Sequence, residues 1–172
     1  MTSAGDEHAD GGRAVTPVIE ERVHVTPVPV RFGDTDRFGH VNNAAYATYV
    51  EIARIAMITG LDHPLGGMIL AHLAIDYRRQ LHVGDPLVVL SRATAIGRTS
   101  IRLAQALVRP DDAGLAHGPG HDVPLAEAPT GERIADVASV IVTYDYAAER
   151  PVPVPEALRA RLAPFLGPLP GA

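Results

Sequence analysis

The segment RFGDTDRFGHVNNAAYATYVEIARI, residues 31–55, joins a cluster of polar, turn-forming residues directly to an almost unbroken apolar run. Asn42 or Asn43 is a good helix N-cap, and the pattern that follows predicts a helix over residues 44–59. Gly60 is placed to end it. A helix that is apolar nearly all round is expected to be buried. The segment therefore predicts one long central helix with a polar loop at its start.

Composition limits the classes of protein that this chain can be. Its 172 residues suffice for a single domain with its own core. The net charge of −5, from 15 Lys+Arg against 20 Asp+Glu, argues against a nucleic-acid partner. The absence of cysteine excludes disulfides, thiolate metal sites and a cysteine nucleophile.

The chain carries no recognisable membrane or export signal. Its first residues lack the apolar region of a secretory signal peptide, and no apolar run reaches the length of a membrane span. We therefore expect a cytoplasmic protein with no membrane partner.

Three regions differ in composition. Residues 1–20 are polar and glycine-rich and are predicted to form a disordered tail. Residues 21–150 hold all the longer periodic segments and are expected to form the folded domain. Residues 151–172 form a proline-rich C-terminal segment, in which residues 155–165 predict a short helix.

Strand patterns flank the predicted helix. One strand precedes it over residues 22–32, and Pro27 and Pro29 predict that this strand or its first half lies at a sheet edge. A Pro/Gly-rich loop over residues 110–132 is expected to be mobile. Four more strands are predicted over residues 68–79, 86–96, 100–109 and 133–146. This order predicts an α+β protein whose curved antiparallel sheet wraps around the helix.

The polar segment ahead of the helix has four interpretations, three of which explain little. A capped helix start accounts for one Asn and one Gly, but not for Asp34, Asp36 and His40 together. An EF-hand calcium loop is excluded, because its twelfth position is alanine and no helix precedes it. A zinc site that adds His63 or His72 matches no recurring ligand spacing, so no metal is expected.

The fourth interpretation is acyl transfer without a serine or cysteine nucleophile. A carboxylate can attack a reactive acyl group itself or deprotonate a bound water. Free backbone N–H groups at the helix start, around Asn43, can bind the developing oxyanion. A thioester suits such a minimal site because it is more electrophilic than an amide.

The stretch GDTDRFGHVNNAAYATYVEIAR resembles the signature of the 4-hydroxybenzoyl-CoA thioesterase-like branch of the hot-dog superfamily. The resemblance rests on Asp-x-Asp, Gly-His-Val-Asn-Asn and a tyrosine at fixed spacing, and the predicted element order fits it from Arg22 to Tyr146. It implies a hot-dog fold, in which a curved antiparallel sheet wraps around one long central helix. It also implies a homodimer or homotetramer with active sites at the subunit interface.

The resemblance also implies roles for individual residues of the loop and helix. Asp36 matches the catalytic carboxylate, as nucleophile or general base. The N–H of Asn43, seven residues further on, matches the group that polarises the thioester carbonyl. His40 would orient a water or Asp36, although a role in bonding the loop backbone is equally open. Asn42 and Tyr46 are expected to bind substrate, Tyr46 by lining the acyl pocket.

A second segment, GRTS at residues 97–100, resembles the strand start where family members meet the pantetheine and phosphates of coenzyme A. Arg98 is then a candidate phosphate contact, with a solvated turn arginine as the alternative. Thr99 and Ser100 are candidates for contact with the thioester end.

Two further acidic residues have simpler roles than catalysis. Asp34 is expected to shape the turn. Glu51 is a candidate second acid on the helix, but pairing with Arg54, three residues on, is the simpler role.

These observations predict an acyl-CoA thioesterase that releases a free carboxylic acid and CoA without a bound cofactor. Coenzyme A would be part of the substrate, and an acyl-carrier-protein thioester is the alternative donor. Two other functions stay open. One is a hot-dog protein that binds acyl-CoA as a sensor with little turnover. The other is an enoyl-CoA hydratase or dehydratase, whose differently spaced Asp/His pair this motif lacks.

Overall fold

The computed structural model describes residues 19–62 and 67–171. Most of the predicted N-terminal tail, residues 1–18, and the candidate zinc ligand His63 lie outside these residues. The elements, in chain order, are β1 Arg22–Pro27, α1 Asn43–Gly60, β2 Met68–Tyr77, β3 Val88–Ile96, β4 Ser100–Pro110, β5 His121–Pro124, β6 Gly131–Asp145, β7 Arg150–Pro151 and α2 Glu156–Leu162.

The strands form one antiparallel sheet in the order β2-β6-β4-β3-β1-β5, with β7 added to the end of β6. The long strand β6 joins the two halves, because it pairs with both β2 and β4 over most of its fifteen residues. This curved sheet with α1 on one face confirms the predicted hot-dog fold. Among the described residues, no helix has the length and apolarity needed to cross a membrane.

The helix α1 buries one face against the sheet and leaves the other outside. Ile52 and Ile55 are 38% and 41% exposed. The expectation of a helix buried on all sides is therefore wrong for a single chain, because the sheet covers only one side of α1. The buried face consists of Tyr46, Tyr49, Val50, Ala53, Arg54, Met57 and Ile58.

The loop over residues 110–132 contains the short strand β5, which was not predicted. β5 pairs with residues 22–25 of β1, and the Asp122 carboxylate lies 2.6 Å from Nδ1 of the buried His24. The prediction that β1 or its first half lies at an edge is therefore wrong, because β5 covers that half. Pro27, which has no N–H to donate, lies beyond the part of β1 that pairs with β5.

The C-terminal segment packs into the same core as the sheet. Leu158 and Leu162 of α2 are buried in a cluster with Met57 and Ile58 of α1. The chain beyond α2 is held by Arg92, whose fully buried guanidinium donates to three main-chain carbonyls and to the Glu21 carboxylate. The carbonyls belong to Phe165, Leu166 and Pro168.

Truncation of Leu162 tests whether this segment stabilises the domain. Leu162→Ala is expected to lower the free energy of unfolding by about 2–5 kcal/mol, because it empties a fully buried site. Leu166→Ala is the matched control, since Leu166 is 44% exposed, and should cost about 0.5 kcal/mol or less. Denaturant titration measures both values. Equal effects of the two substitutions would contradict a core role for α2.

Candidate active site

One cleft lies between the loop before α1, the first turns of α1 and the end of β2. Four of the predicted residues line it together: Asp36, His40, Asn43 and Tyr46. The remaining wall is formed by Val41, Tyr77, Arg78, Arg79 and Gln80. The fold therefore brings the predicted carboxylate and the predicted helix terminus to the same cleft.

The loop holds Asp36 by one of its two carboxylate oxygens. Oδ1 accepts hydrogen bonds from the N–H groups of Phe38, at 2.8 Å, and His40, at 3.3 Å. The Asp36 N–H in turn donates to the His40 carbonyl at 2.8 Å. Within the described residues, Oδ2 has no protein partner, and the side chain is only half-buried. Asp36 is thus fixed in place while one oxygen stays available to a substrate or a water.

The start of α1 leaves one backbone donor unused. Asn42 takes two of the first N–H groups, because its Oδ1 accepts from Ala44 and its carbonyl accepts from Ala45, both at 2.9 Å. The N–H of Asn43 has no acceptor in the part of the chain that the structure describes. It lies at the positive end of the helix dipole, where an oxyanion is stabilised.

Two of the predicted residues have structural partners of their own. The contacts of His40 with Asp36 are made by its backbone, whereas its ring lies edge-on against the His82 ring at 5.2 Å. The Asn42 side chain is used as the helix cap. A role for the His40 ring in catalysis and a contact of Asn42 with substrate both stay predictions.

Asp34 ties the loop to the helix. Its Oδ2 accepts a hydrogen bond from the Arg31 N–H at 2.9 Å and from the Tyr49 hydroxyl at 2.8 Å. Burial, reinforced by the Asp34 carboxylate, raises the pKa of Tyr49 well above its usual range, so the phenol stays a donor. The expectation that Asp34 shapes the turn agrees with these contacts.

Aromatic side chains form the apolar wall of the cleft. The buried Tyr46 ring meets the Tyr77 ring edge-on at 5.0 Å, and burial raises the pKa of Tyr46. The Tyr77 hydroxyl donates to the Asn43 carbonyl at 3.1 Å. Tyr46 therefore lines the cleft, as predicted, and its contact with an acyl group stays a prediction.

Sequence reasoning missed Tyr77, Arg78 and Arg79 as residues of the cleft. Their positions at the end of a strand were evident in the sequence, but nothing local indicated that this end lies beside the start of α1. The two arginines border the cleft as ion pairs, Arg78 with Asp136 at 3.0 Å and Arg79 with Glu132 at 3.3 Å.

The second predicted segment lies elsewhere in the chain. Ser100 is the first residue of β4. Tyr77 of β2 lies opposite Ala135 of β6, and Ala135 in turn lies opposite Leu107 of β4, seven residues beyond Ser100. Seven residues of a strand span about 23 Å. A single chain therefore does not bring Arg98, Thr99 and Ser100 to the Asp36 cleft, and their contact with substrate stays a prediction.

Metal ligands do not cluster in the part of the chain that the structure describes. Nowhere in these residues do three or more His, Cys, Asp or Glu side chains come together. That the site works without a cofactor stays a prediction.

Comparison with known proteins identifies the family. A model of the thioesterase-like superfamily matches residues 30–162, which include the whole cleft and α2. The chain therefore belongs to the thioesterase-like superfamily, in agreement with the resemblance of its opening motif. A crystal structure of a thioesterase from Thermus thermophilus, complexed with coenzyme A and Zn, is 32% identical. It superposes with a TM-score of 0.64 over 82% of this chain and 97% of that one.

Two curated relatives match the chain over part of its length. A 1,4-dihydroxy-2-naphthoyl-CoA hydrolase of Synechococcus elongatus is 37% identical over 83 residues, 43% of this chain and 61% of that protein. The uncharacterized protein YsmA of Bacillus subtilis is 32% identical over 80 residues, 44% of this chain and 54% of that protein. The matched stretches thus span little more than half of these relatives.

The cap at the start of α1 is open to a direct test. Asn42→Ala is expected to lower the free energy of unfolding by about 1 kcal/mol, because the Ala44 N–H loses its acceptor. Asn42→Asp keeps an acceptor and should leave stability nearly unchanged. Thermal or denaturant unfolding of the two variants gives the difference. Equal stability of Asn42→Ala and the wild type would contradict the capping role.

Proposed function

We propose that this protein is an acyl-CoA thioesterase, which hydrolyses a CoA thioester to a free carboxylic acid and CoA. The observation that carries the proposal is the pairing of two unused groups in one cleft. Among the described residues, Oδ2 of Asp36 accepts no hydrogen bond, and the Asn43 N–H, at a helix N-terminus, donates none. A nucleophile or base and an oxyanion donor are the two parts that thioester hydrolysis needs.

The proposed reaction begins with the thioester carbonyl oxygen accepting a hydrogen bond from the Asn43 N–H. In one route, Oδ2 of Asp36 attacks the carbonyl carbon, the C–S bond breaks and CoA leaves as the thiol after protonation. Water then hydrolyses the resulting mixed anhydride and restores the carboxylate. In the other route, Asp36 takes a proton from a water that attacks the same carbon, and that proton passes to the leaving sulfur. Both routes consume one water per thioester.

Relatives support the substrate class. The S. elongatus relative is named for hydrolysis of a CoA thioester, and the T. thermophilus thioesterase was crystallised with coenzyme A. The same cleft could accept an acyl group on a carrier protein, which would present the same thioester. Function in the cytoplasm stays a prediction.

A second copy of the chain would complete the site. In the part of the chain that the structure describes, β2 ends the sheet and pairs with β6 alone, so one side of this ten-residue strand has no partner strand there. Leu70 and Tyr77 on β2 are exposed, as are Ile52 and Ile55 on the adjacent helix. Antiparallel pairing of two β2 strands would cover both sets of apolar side chains. We therefore include a homodimer joined through β2 in the proposal, on which a tetramer could be built.

This dimer would also bring the Arg98 turn towards a cleft. Pairing along the full length of β2 sets Met68 of one chain opposite Tyr77 of the other. Met68 and Ser100 both align with the last part of β6, around Thr143 and Val142. The Arg98 turn of one chain would then lie three strand spacings, about 14 Å, from the Tyr77 strand of its partner. A CoA molecule bridging these points would contact both chains, as the resemblance implies.

Replacement of the Asp36 carboxylate tests the catalytic assignment. Asp36→Asn is expected to reduce thiol release from CoA thioesters by about 10²–10⁴-fold or more, because it removes the nucleophile or base. The amide oxygen can still accept from Phe38 and His40, so the fold should persist. Release of free CoA from acetyl, octanoyl, palmitoyl, benzoyl and phenylacetyl thioesters measures the effect and identifies the preferred acyl class.

Asp34→Asn is the matched control for this experiment. It makes the same chemical change two residues away, on a carboxylate whose bonds go to Arg31 and Tyr49, and it should keep most of the activity. Near-normal turnover by a folded Asp36→Asn protein would overturn the assignment. Tight binding of a CoA thioester with no release by the wild type would favour an acyl-CoA sensor. Consumption of an enoyl-CoA without thiol release would favour a hydratase.

The proposed dimer predicts a solution mass of at least two chains. Ala74→Glu is expected to shift the mass towards one chain, because Ala74 lies near the middle of β2 and would place two like charges beside the two-fold axis. Ala95→Glu on β3 adds the same charge at an exposed position inside the sheet and should leave the mass unchanged. Light scattering after gel filtration measures both. A wild-type protein that is monomeric at micromolar concentration would refute the dimer.

A further inference from the structure

A second cavity lies at the other end of α1 from the Asp36 cleft. It opens between the last turns of α1 and the beginning of β2, and Ile55, Ile58, Met68 and Ile141 give it an apolar lining. Its volume of about 180 Å³ is below the range of roughly 300–1,000 Å³ that encloses a whole drug-sized ligand. A cavity of this size suits one end of a ligand rather than all of it.

A buried arginine lines this apolar cavity. Arg54 is only 7% exposed, and Nη1 of its guanidinium is buried without a hydrogen-bond partner in the described residues. Among the described carboxylates, only that of Glu51 lies beside it, 3.9 Å from Nη2 and 59% exposed. Burial lowers the pKa of Arg54, and the Glu51 carboxylate opposes that change. The ion pair between Arg54 and Glu51 thus spans a long distance, and its carboxylate is exposed to solvent. Such ion pairs contribute little to stability.

An unpartnered guanidinium N–H is costly to bury. A buried polar group without a partner loses its hydration with no compensating bond, and the cost is larger for a charged group. Nη1 is closed off from solvent, so an oxygen acceptor that enters the cavity would remove this cost once the guanidinium turns to meet it. A carboxylate is the strongest such acceptor, because arginine presents two parallel N–H groups to its two oxygens. Apart from Arg54 and the Glu51 carboxylate, the lining is apolar, so the part of the ligand that precedes this oxygen should be hydrocarbon.

The proposed dimer connects this cavity with the catalytic cleft. Within one chain, the eleven residues of helix from Asn43 to Arg54 separate the two by about 16 Å. Pairing of two β2 strands sets Met68, in the cavity wall, opposite the partner's Tyr77, in the cleft wall. An acyl group whose thioester lies at Asp36 of one chain could then reach into the Arg54 cavity of the other.

We propose that Arg54 selects acyl groups that carry an oxygen acceptor, a carboxylate above all, at the end remote from the thioester. The proposal rests on the thioesterase function and on the dimer proposed above. It extends them by naming a substrate class: CoA thioesters of dicarboxylic or ω-hydroxy acids in preference to plain alkanoates.

The test compares CoA thioesters of equal chain length that end in a carboxylate, a hydroxyl or a methyl group. The wild type is expected to show kcat/KM at least about tenfold higher for an oxygen-terminated substrate than for the methyl one. Arg54→Met should abolish that preference, and Arg102→Met is the matched control. Arg102 is an exposed arginine on β4, so its removal deletes the same charge outside both cavities. The carboxylate and hydroxyl substrates distinguish a charged from a neutral acceptor.

Glu51→Gln is a second variant, for which the proposal predicts the direction of the change in substrate preference. Removal of the neighbouring negative charge should raise the preference for the carboxylate substrate and leave the preference for the hydroxyl substrate nearly unchanged. A lowered carboxylate preference in Glu51→Gln would overturn the proposal. This variant also keeps the test decisive if Arg54→Met does not fold.

Binding measurements separate this proposal from the thioesterase assignment. Calorimetry with the intact thioesters on Asp36→Asn protein, with and without Arg54→Met, reports the preference whether or not turnover occurs. Equal affinity for the three end groups would overturn the role of Arg54 while leaving hydrolysis untouched. A change in oligomeric mass in Arg54→Met with an unchanged preference would also overturn it, because Arg54 would then pair with a partner carboxylate. Absence of hydrolysis with a retained end-group preference would refute the thioesterase and support the binding site.

Discussion

The packing of one face of α1 against the sheet is the contact on which the remaining features depend. Tyr46, Tyr49, Val50 and Ala53 anchor the first half of the helix in the same apolar cluster as strand and loop residues. This packing holds the helix N-terminus beside the end of β2. Because Asp34 bonds to Tyr49 and its carbonyl accepts from the Asn42 N–H, the preceding loop is tied to the helix it leads into. The position of Asp36 thus follows from burial of Tyr46 and Tyr49, which lie in the first two turns of α1.

The two edges of the sheet differ in how they are covered. On one side, β5 adds a short strand to β1, and Leu115, Val123 and Leu125 cover the valines of the outer face. On the other side, no described strand pairs with the outer edge of β2, which carries exposed Leu70 and Tyr77. An unprotected edge of this length is unusual in a monomer, since such edges invite pairing with another chain. The two proposals, a dimer through β2 and a pocket shared across it, both rest on this asymmetry.

The polar groups of the cleft divide into those that are already bonded and those that are not. Asp34, Asn42, Oδ1 of Asp36 and the backbone of His40 are used to build the loop and the cap. Oδ2 of Asp36 and the Asn43 N–H have no hydrogen-bond partner among the residues that the structure describes. In the proposed reaction, a fixed N–H donor of this kind stabilises developing negative charge effectively, because no dipole has to reorient. The turn-forming residues of the motif thus build a loop and a helix cap, and they leave in place the two groups that the proposed function uses.

Local sequence determined the parts of this protein that depend on short-range interactions. Asn42 sets the start of α1 by capping it, and alternation of apolar residues located the longer strands. Gly60, expected to end the helix, is instead its last helical residue with no positive φ, and Leu61 is the C-cap. The pairing of Asp36 with Asn43 was implied by the family motif, and the structure brings the two residues to one cleft. β5 was missed because a strand of four residues within a Pro/Gly-rich segment is too short to show a periodic pattern. In the structure it forms by pairing with β1. Tyr77 and Arg54 could not be assigned from sequence either, since their surroundings come from elements distant along the chain.

The sequence by itself thus determined the order of the main elements, the family motif and the residues at the start of the helix. Only the tertiary structure decided which face of α1 is covered, that Arg98 lies far from Asp36 within one chain, and that Arg54 is buried beside an apolar cavity. The physical reason is that caps, turns and periodicity depend on a residue's nearest neighbours, whereas burial and proximity depend on how the sheet curves and which strands pair.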